Sequence, residues 1–303
     1  MRYRVTHTTS YQYGYDVTTS HNLAHLVPRT NAYQKVLDNN FQITPAPAMQ
    51  THQRDAFDNI ITLFTVSAAH RELIIDVRTE VEVRSKPYPQ AADTPPWEHV
   101  RDHLLKDFDP KSLWAYEFVF DSMYVKTSAD LWSYAVESFP PGRPILEAVF
   151  DLTRRIHSDF AYDPSATSVS TPLEEVVRHR RGVCQDFAHL QIGCLRSMGL
   201  PARYVSGYLR TLPSPGQPRL VGCDASHAWV AVYVPGSGWL DFDPTNDSTP
   251  DESHITVAVG RDYNDVSPIR GIVVGGGGSS IAVSVDVEPL EADVVAPLSA
   301  GGS

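Results

Sequence analysis

The chain has 303 residues, more than one domain usually holds, so two units of ordinary size are expected, each able to bury a core. Hydrophobic residues make up 42% and charged residues 20%, which excludes a disordered or fibrous chain. A formal net charge of -11 argues against nucleic acid and anionic membrane as partners, because the average field repels both.

The opening segment MRYRVTHTTSYQYGY already alternates like a strand and has no signal-peptide core; nor does any run approach the ~20 apolar residues of a membrane span. Cys184, Cys194 and Cys223 make neither a disulfide framework nor a CxxC pair, so a reducing, cytoplasmic setting is expected. Residues 1–85 read as an antiparallel β-sandwich domain. Tyr3, Val5, Tyr11, Tyr13 and Tyr15 keep period two, and Ile75, Val77, Thr79, Val81 and Val83 form one face of a later strand. Residues 86–98 are proline-rich and polar, the composition of a linker.

Residues 99–290 are expected to form an α+β unit. After Pro144, the residues Ile145, Leu146, Val149, Phe150 and Ile156 are spaced as one buried helical stripe. Phe187, Leu190, Ile192, Cys194, Leu195 and Met198 mark a second helix, stopped by Gly199 and Pro201. The segments ARYVSGYLR, SHAWVAVYV and GWLDFDP then alternate as strands, with a turn at 235–238 between the last two. Strands at 255–260 and 281–290 are expected to close this unit around a run of four glycines, and residues 291–303 read as a disordered tail.

Cys184 follows Gly182-Val183 and stands in the first turn of the second helix, where unpaired N–H groups and the helix dipole favour a negative sulfur and an oxyanion. Cys194, in mid-helix among apolar residues, reads as a small core residue. A thiol nucleophile needs a base, and that base a partner to orient it. His189 lies five positions on from Cys184, a helical rotation that carries its ring away, whereas His227 opens a strand that can face the helix start. Asp241 and Asp243 share a strand face, and Asp243 approaches the level of His227 once the turn lays the two strands side by side.

The segments RRGVCQDFAHL, SHAWVAVYV and GWLDFDPT resemble, in that order, the Cys, His and Asp blocks of the transglutaminase-like superfamily. The first 85 residues resemble the β-rich domain that precedes this core in bacterial members, and GRDYNDVSPIRG is similar to their C-terminal part. The resemblance implies a papain-like core with Cys184, His227 and Asp243 as its catalytic residues. Tyr162, upstream of the cysteine, stands where eukaryotic members carry an aromatic oxyanion donor. One departure is Asp58, at a turn position usually glycine in the bacterial proteins; Asp tolerates the left-handed backbone better than most residues.

Metal readings fare worse. The stretch DFDPTNDSTPDE has acids at several positions of a calcium loop, but Asn246 replaces the required glycine and two prolines stiffen it. His21 and His25 lack the Glu of a zinc helix. No cofactor or metal is therefore expected, and the partner is a peptide or protein substrate. The activity expected is acyl transfer on a peptide or glutamine amide through a thioester, with hydrolysis favoured. The alternatives are a protein-glutamine cross-linking enzyme, a metal-dependent hydrolase and a non-catalytic peptide-binding scaffold.

Overall fold

The structure, a computed structural model, describes residues 1–107, 109–211 and 225–290. Cys223 and the tail from residue 291 lie outside the described residues.

A single long strand, β1 (Arg2–Ala24), is the spine of the N-terminal half. It is followed by β2 (Gln34–Thr44), β3 (Met49–Arg54), β4 (Ile60–Val66) and β5 (His70–Val83), paired in the order β2-β5-β1-β4-β3. β5 covers the first part of β1 and β4 its last part, with a register shift between Gln12 and Val17. Ala24, Phe64 and Val66 from one end pack with Ile43, Leu73, Ile75 and Val77 from the other. The expected antiparallel unit is therefore one sheet whose two ends share a core. Asp58 holds the turn before β4 at φ 63°, in the left-handed region the sequence required of it.

The second half begins with α1 (Trp97–Leu104), α2 (Pro110–Tyr116), α3 (Ala129–Ala135) and α4 (Ile145–Asp159). Two short parallel strands, β6 (Ala161–Tyr162) and β7 (Arg181–Gly182), bracket α5 (Leu173–His179). The next helix, α6 (Cys184–Ser197), has Phe187, Ala188, Leu190, Ile192, Cys194 and Leu195 all buried. Burial on every side makes it the axis of the core and not a surface helix. It lies on an antiparallel sheet of β8 (Ala202–Leu209), β9 (Ala225–Val234), β10 (Gly238–Phe242) and β11 (His254–Gly260), in the order β10-β9-β8-β11. The predicted turn joins β9 to β10 and sets Phe242 opposite Val230.

After a short helix, α7 (Tyr263–Val266), the chain leaves this sheet. β12 (Ile269–Gly275) and β13 (Ser279–Leu290) pair with the second edge of β1, along Val17–Ala24 and Arg2–Tyr13 respectively. The strand at 281–290, expected to close the catalytic unit, instead completes the N-terminal sheet, so a boundary placing all of 99–290 in one unit is corrected. Alternation identifies a strand but not its partner. The glycine run has a structural reason: Gly275, Gly276 and Gly277 adopt φ of 95°, 82° and 65°, and a Cβ on Gly275 would lie 2.5 Å from the Asp16 carbonyl.

The two halves share one core. Tyr3, Val5, Val81, Val83, Val285 and Val287 belong to the same buried cluster as α4 and α6. Between β5 and α1 the chain forms a 3-10 turn at Ala91–Asp93 and a bridge from Pro96 to Pro144, and it is tied down: the Tyr88 hydroxyl donates to the Asp241 carbonyl at 2.8 Å. No helix among the described residues is long and apolar enough to cross a membrane.

A buried histidine marks the seam. His7 of β1, 2% exposed, lies 2.9 Å from the Thr9 hydroxyl and 3.0 Å from the Tyr208 hydroxyl of β8. Burial lowers its pKa to about 4, against a weaker opposing pull from Asp76. A depressed histidine stabilises the fold fully above its unfolded value near 6.5, and that contribution is lost as pH falls toward about 4. His7→Gln is expected to lose less melting temperature between pH 7 and pH 4.5 than the native protein. Thermal melts at the two pH values test this, and an equal loss refutes it.

Candidate active site

The start of α6 is built before its cysteine. Asp186, at the third helical position, accepts the Val183 N–H at 2.8 Å and the Thr167 hydroxyl at 2.6 Å. This is the backward half of a capping box; the other half is absent because valine has no acceptor. A Cβ on Gly182 would fall 2.6 Å from Asp186 Oδ2, so the cap requires glycine there. Burial raises the Asp186 carboxyl, opposed by its hydrogen bonds to Thr167 and Val183. Cys184 itself is half-buried at the helix's first residue.

His227 brings its Nε2 to 2.7 Å from Asp243 Oδ2. Cys184 lines the same cavity as this ring, near enough for its charge to act on it, and with Nε2 turned to Asp243 it is Nδ1 that remains free of the carboxylate. Burial alone would lower the His227 pKa. Hydrogen bonds to Asp243 and Cys184, with their charges, outweigh it and push the ring up to about 10. Asp243 is driven the other way: burial would raise it, but its bonds to His227 and His254 and the charge on His227 hold it well below the usual carboxylate range.

Asp243 is fully buried, and both its oxygens are occupied. Oδ1 accepts the backbone N–H groups of Thr245 and Asn246 at 2.9 and 3.2 Å. Oδ2 accepts from the Asn246 side chain at 2.6 Å and lies 3.3 Å from His254 Nε2. Sequence reasoning missed Asn246 and His254. The pattern Asp-Pro-Thr-Asn could have suggested an Asp side chain folding back onto its own turn; nothing in the sequence pointed to His254, which arrives from β11.

His189 is not among the residues that line the cleft with Cys184. It is buried between the rings of Tyr124 and Tyr204, and its Nε2 accepts the Tyr263 N–H at 3.1 Å. Burial lowers its pKa to about 4, with Asp262 pulling it up and Arg196 pulling it down. Tyr162 is beside the site, its main chain paired with Gly182, and it is 57% exposed. Burial and the nearby Cys184 charge raise its phenol pKa.

A cavity of about 520 Å³ opens at Cys184. Cys184, His227 and Tyr204 line one side, and Tyr11 of β1 with Ile281 and Val283 of β13 line the other. The N-terminal sheet is thus a wall of the cleft, a role no local motif announced.

His227, Asp243 and His254 each offer one ligand atom, all within 4.8 Å of one another, a set that could hold a divalent ion. Such an ion would compete with the hydrogen bonds that Asp243 now makes to both rings. Three acids of the calcium-like stretch turn to side chains of this chain: Asp241 to Lys86, Asp243 to His227 and His254, and Asp251 to Ser253 and the other nitrogen of His254. His21 and His25 bond to Thr65 and to the Ser267 carbonyl.

Two outcomes test this geometry. Gly182→Ala displaces the Asp186 cap and is expected to cost about 1 kcal/mol or more, read by chemical denaturation; unchanged stability refutes the contact. Cys184 is expected to react with iodoacetamide at least ~10-fold faster than Cys194 near pH 7, because Cys194 is fully buried and its thiol is pushed far up by burial. Peptide-resolved mass spectrometry of the native protein measures both sites, and equal rates reject the assignment.

Comparison with known proteins bears on the family and the fold. Residues 3–82 match the bacterial transglutaminase-like N-terminal region, and residues 134–244 match the transglutaminase-like superfamily core. An uncharacterized protein of Mycobacterium tuberculosis is 43% identical over 302 residues, covering 97% of this chain and 95% of its own. A protein-glutamine gamma-glutamyltransferase of Pseudomonas aeruginosa is 37% identical over 103 residues, 33% of this chain and 15% of that protein. Among solved structures, a candidate cysteine protease from Cytophaga hutchinsonii superposes with a TM-score of 0.75 at 21% identity, covering 97% of this chain and 92% of that one. With a folded antiparallel sheet leading into a helix-on-sheet core that carries the Cys, His and Asp blocks, the chain belongs to the transglutaminase-like superfamily, in the bacterial form with an N-terminal β domain.

Proposed function

We propose that this protein is a cysteine-dependent acyl-transfer enzyme acting on amides of peptides or of glutamine side chains. The observation that supports the reading is an imidazole, His227, hydrogen-bonded to the buried Asp243 and lining the same cleft as Cys184. The Cys184 sulfur, its proton on His227, attacks the amide carbonyl, and the C–N bond breaks as His227 returns that proton to the leaving amine or ammonia. Water, deprotonated by the same ring, then cleaves the thioester and frees the acid. Asp243 keeps the ring oriented and charged. The backbone N–H of Cys184 at the helix start receives the oxyanion, and Tyr162 is the second donor we assign to it. Hydrolysis is the outcome we favour over transfer to a second amine, because free cross-linking would attack the cell's own proteins.

Three single variants rank the roles. Cys184→Ala abolishes turnover with little change in stability, His227→Ala loses about 10³-fold or more in rate, and Asp243→Asn loses an intermediate amount. His189→Ala, if folded, keeps most activity. Rates on glutamine and peptide amides, with and without a primary amine, measure all four and separate hydrolysis from cross-linking. An active Cys184→Ala rejects the mechanism.

The pH dependence has a definite sign. His227 must carry a proton to release the amine, so the alkaline limb of kcat is expected only as pH rises through about 10. Its contribution to stability is full below the unfolded value near 6.5 and is lost through the same rise; that of Asp243 is full above about 3.9 and is lost as pH falls. Asp243→Asn removes the main partner and should move the alkaline limb to lower pH. An unmoved limb would mean another group sets it.

A further inference from the structure

A second cleft, of about 320 Å³, lies on the other side of the catalytic sheet, where the segment after β1 and the end of β5 meet β8, β9, β10 and β11. Its size is that of a small-molecule site and its place is the junction of two structural units, where such sites concentrate. The charges lining it are unbalanced: Arg29, Arg84, Lys86 and Arg203 against Asp241 and Asp251. The chain as a whole carries -11, so a cationic recess is against the trend of its surface.

Most of these charges are already matched. Lys86 lies 3.3 Å from Asp241, Arg84 2.6 Å from Glu82, and Arg29 donates to the Phe57 carbonyl at 2.8 Å. Asp251 is taken by Ser253 and His254. Arg203 is the exception. Its guanidinium stacks 4.2 Å over the Trp239 ring, and its buried Nε has no hydrogen-bond partner among the described residues. Burial lowers its pKa to about 9, with Asp241 raising it and Arg29 lowering it. Trp229 lines the same cleft, is fully buried, and its indole Nε1 also lacks a partner among the described residues. Val205 of β8 pairs with Trp229 of β9, so Arg203, two residues before Val205, is one diagonal step from Trp229 on the same sheet face.

Two adjacent buried donors without acceptors are costly unless something accepts from them. We propose that this cleft binds a small organic carboxylate, with Arg203 and the Trp229 indole N–H as its donors. A guanidinium suits the planar carboxylate fork. Asp241 and Asp251, in the same recess, repel a dianion more than a monoanion, which favours a carboxylate over phosphate.

Isothermal titration of the full chain at pH 7 with benzoate and with inorganic phosphate tests this. Saturable benzoate binding is expected, with phosphate at least ~10-fold weaker and Arg203→Met weakening benzoate by about 10-fold or more, the scale of a lost hydrogen bond to a charged group. Arg203 is not among the residues lining the Cys184 cleft, whereas the Trp229 ring lies 6.0 Å from that of His227 and 5.3 Å from that of His254, so binding and not turnover is the readout. If Arg203→Met fails to fold, Trp229→Phe, which keeps the ring size class and removes the N–H, should weaken benzoate severalfold. No saturable heat with benzoate up to about 20 mM, phosphate binding as tightly as benzoate, or undiminished binding in a folded variant overturns the proposal.

Discussion

A carboxylate with no exposure to water cannot stay charged unless the fold supplies partners for it, and Asp243 is such a group. Four separate groups meet it: a base from β9, a second ring from β11, an amide side chain, and the backbone of the turn it opens. Removing one partner of a buried charge typically costs about 3–5 kcal/mol, so this cluster ties the ends of three strands together as firmly as it orients an imidazole. Orientation of the base and integrity of the sheet are therefore the same constraint.

The opposite side of the site depends on a helix end. The first turn of α6 needs an acceptor for its free N–H groups, and Asp186 reaches back past Gly182 to the Val183 N–H to provide one. The helix is held along its length by burial on all sides, so the sulfur at its tip is positioned by the core rather than by a flexible loop. His189 shows the same economy: a histidine of the same helix, one turn and a fraction further on, is used as a neutral hydrogen-bond acceptor between two aromatic rings.

The return of the last two strands to β1 has a functional consequence. Because β13 lies along the first part of β1, its side chains Ile281 and Val283 face the cleft beside Cys184. The N-terminal sheet is not an appended module; it shares a core with the catalytic half and supplies one wall of the site. The second cleft sits at the same junction on the far face of the catalytic sheet, so the packing of the two halves creates both recesses.

Local pattern was enough to identify most elements of this protein and the three chemical blocks. Period-two alternation marked β5, the stripe after Pro144 marked α4, and the position of Cys184 at a helix start followed from the apolar spacing after it. Even the pairing of β9 with β10 could be read, because a short turn lays the second strand back along the first. Long-range choices were not legible. That β13 joins β1 and not the catalytic sheet, that the two ends of the N-terminal sheet share one core, and that His254 and Asn246 complete the shell of Asp243 are decided by contacts across the chain. A strand's alternation states which face is buried and is silent about which edge it joins, and a lone histidine carries no mark of the carboxylate it will meet; only tertiary packing, where burial forces every charge and edge to find a partner, settles both.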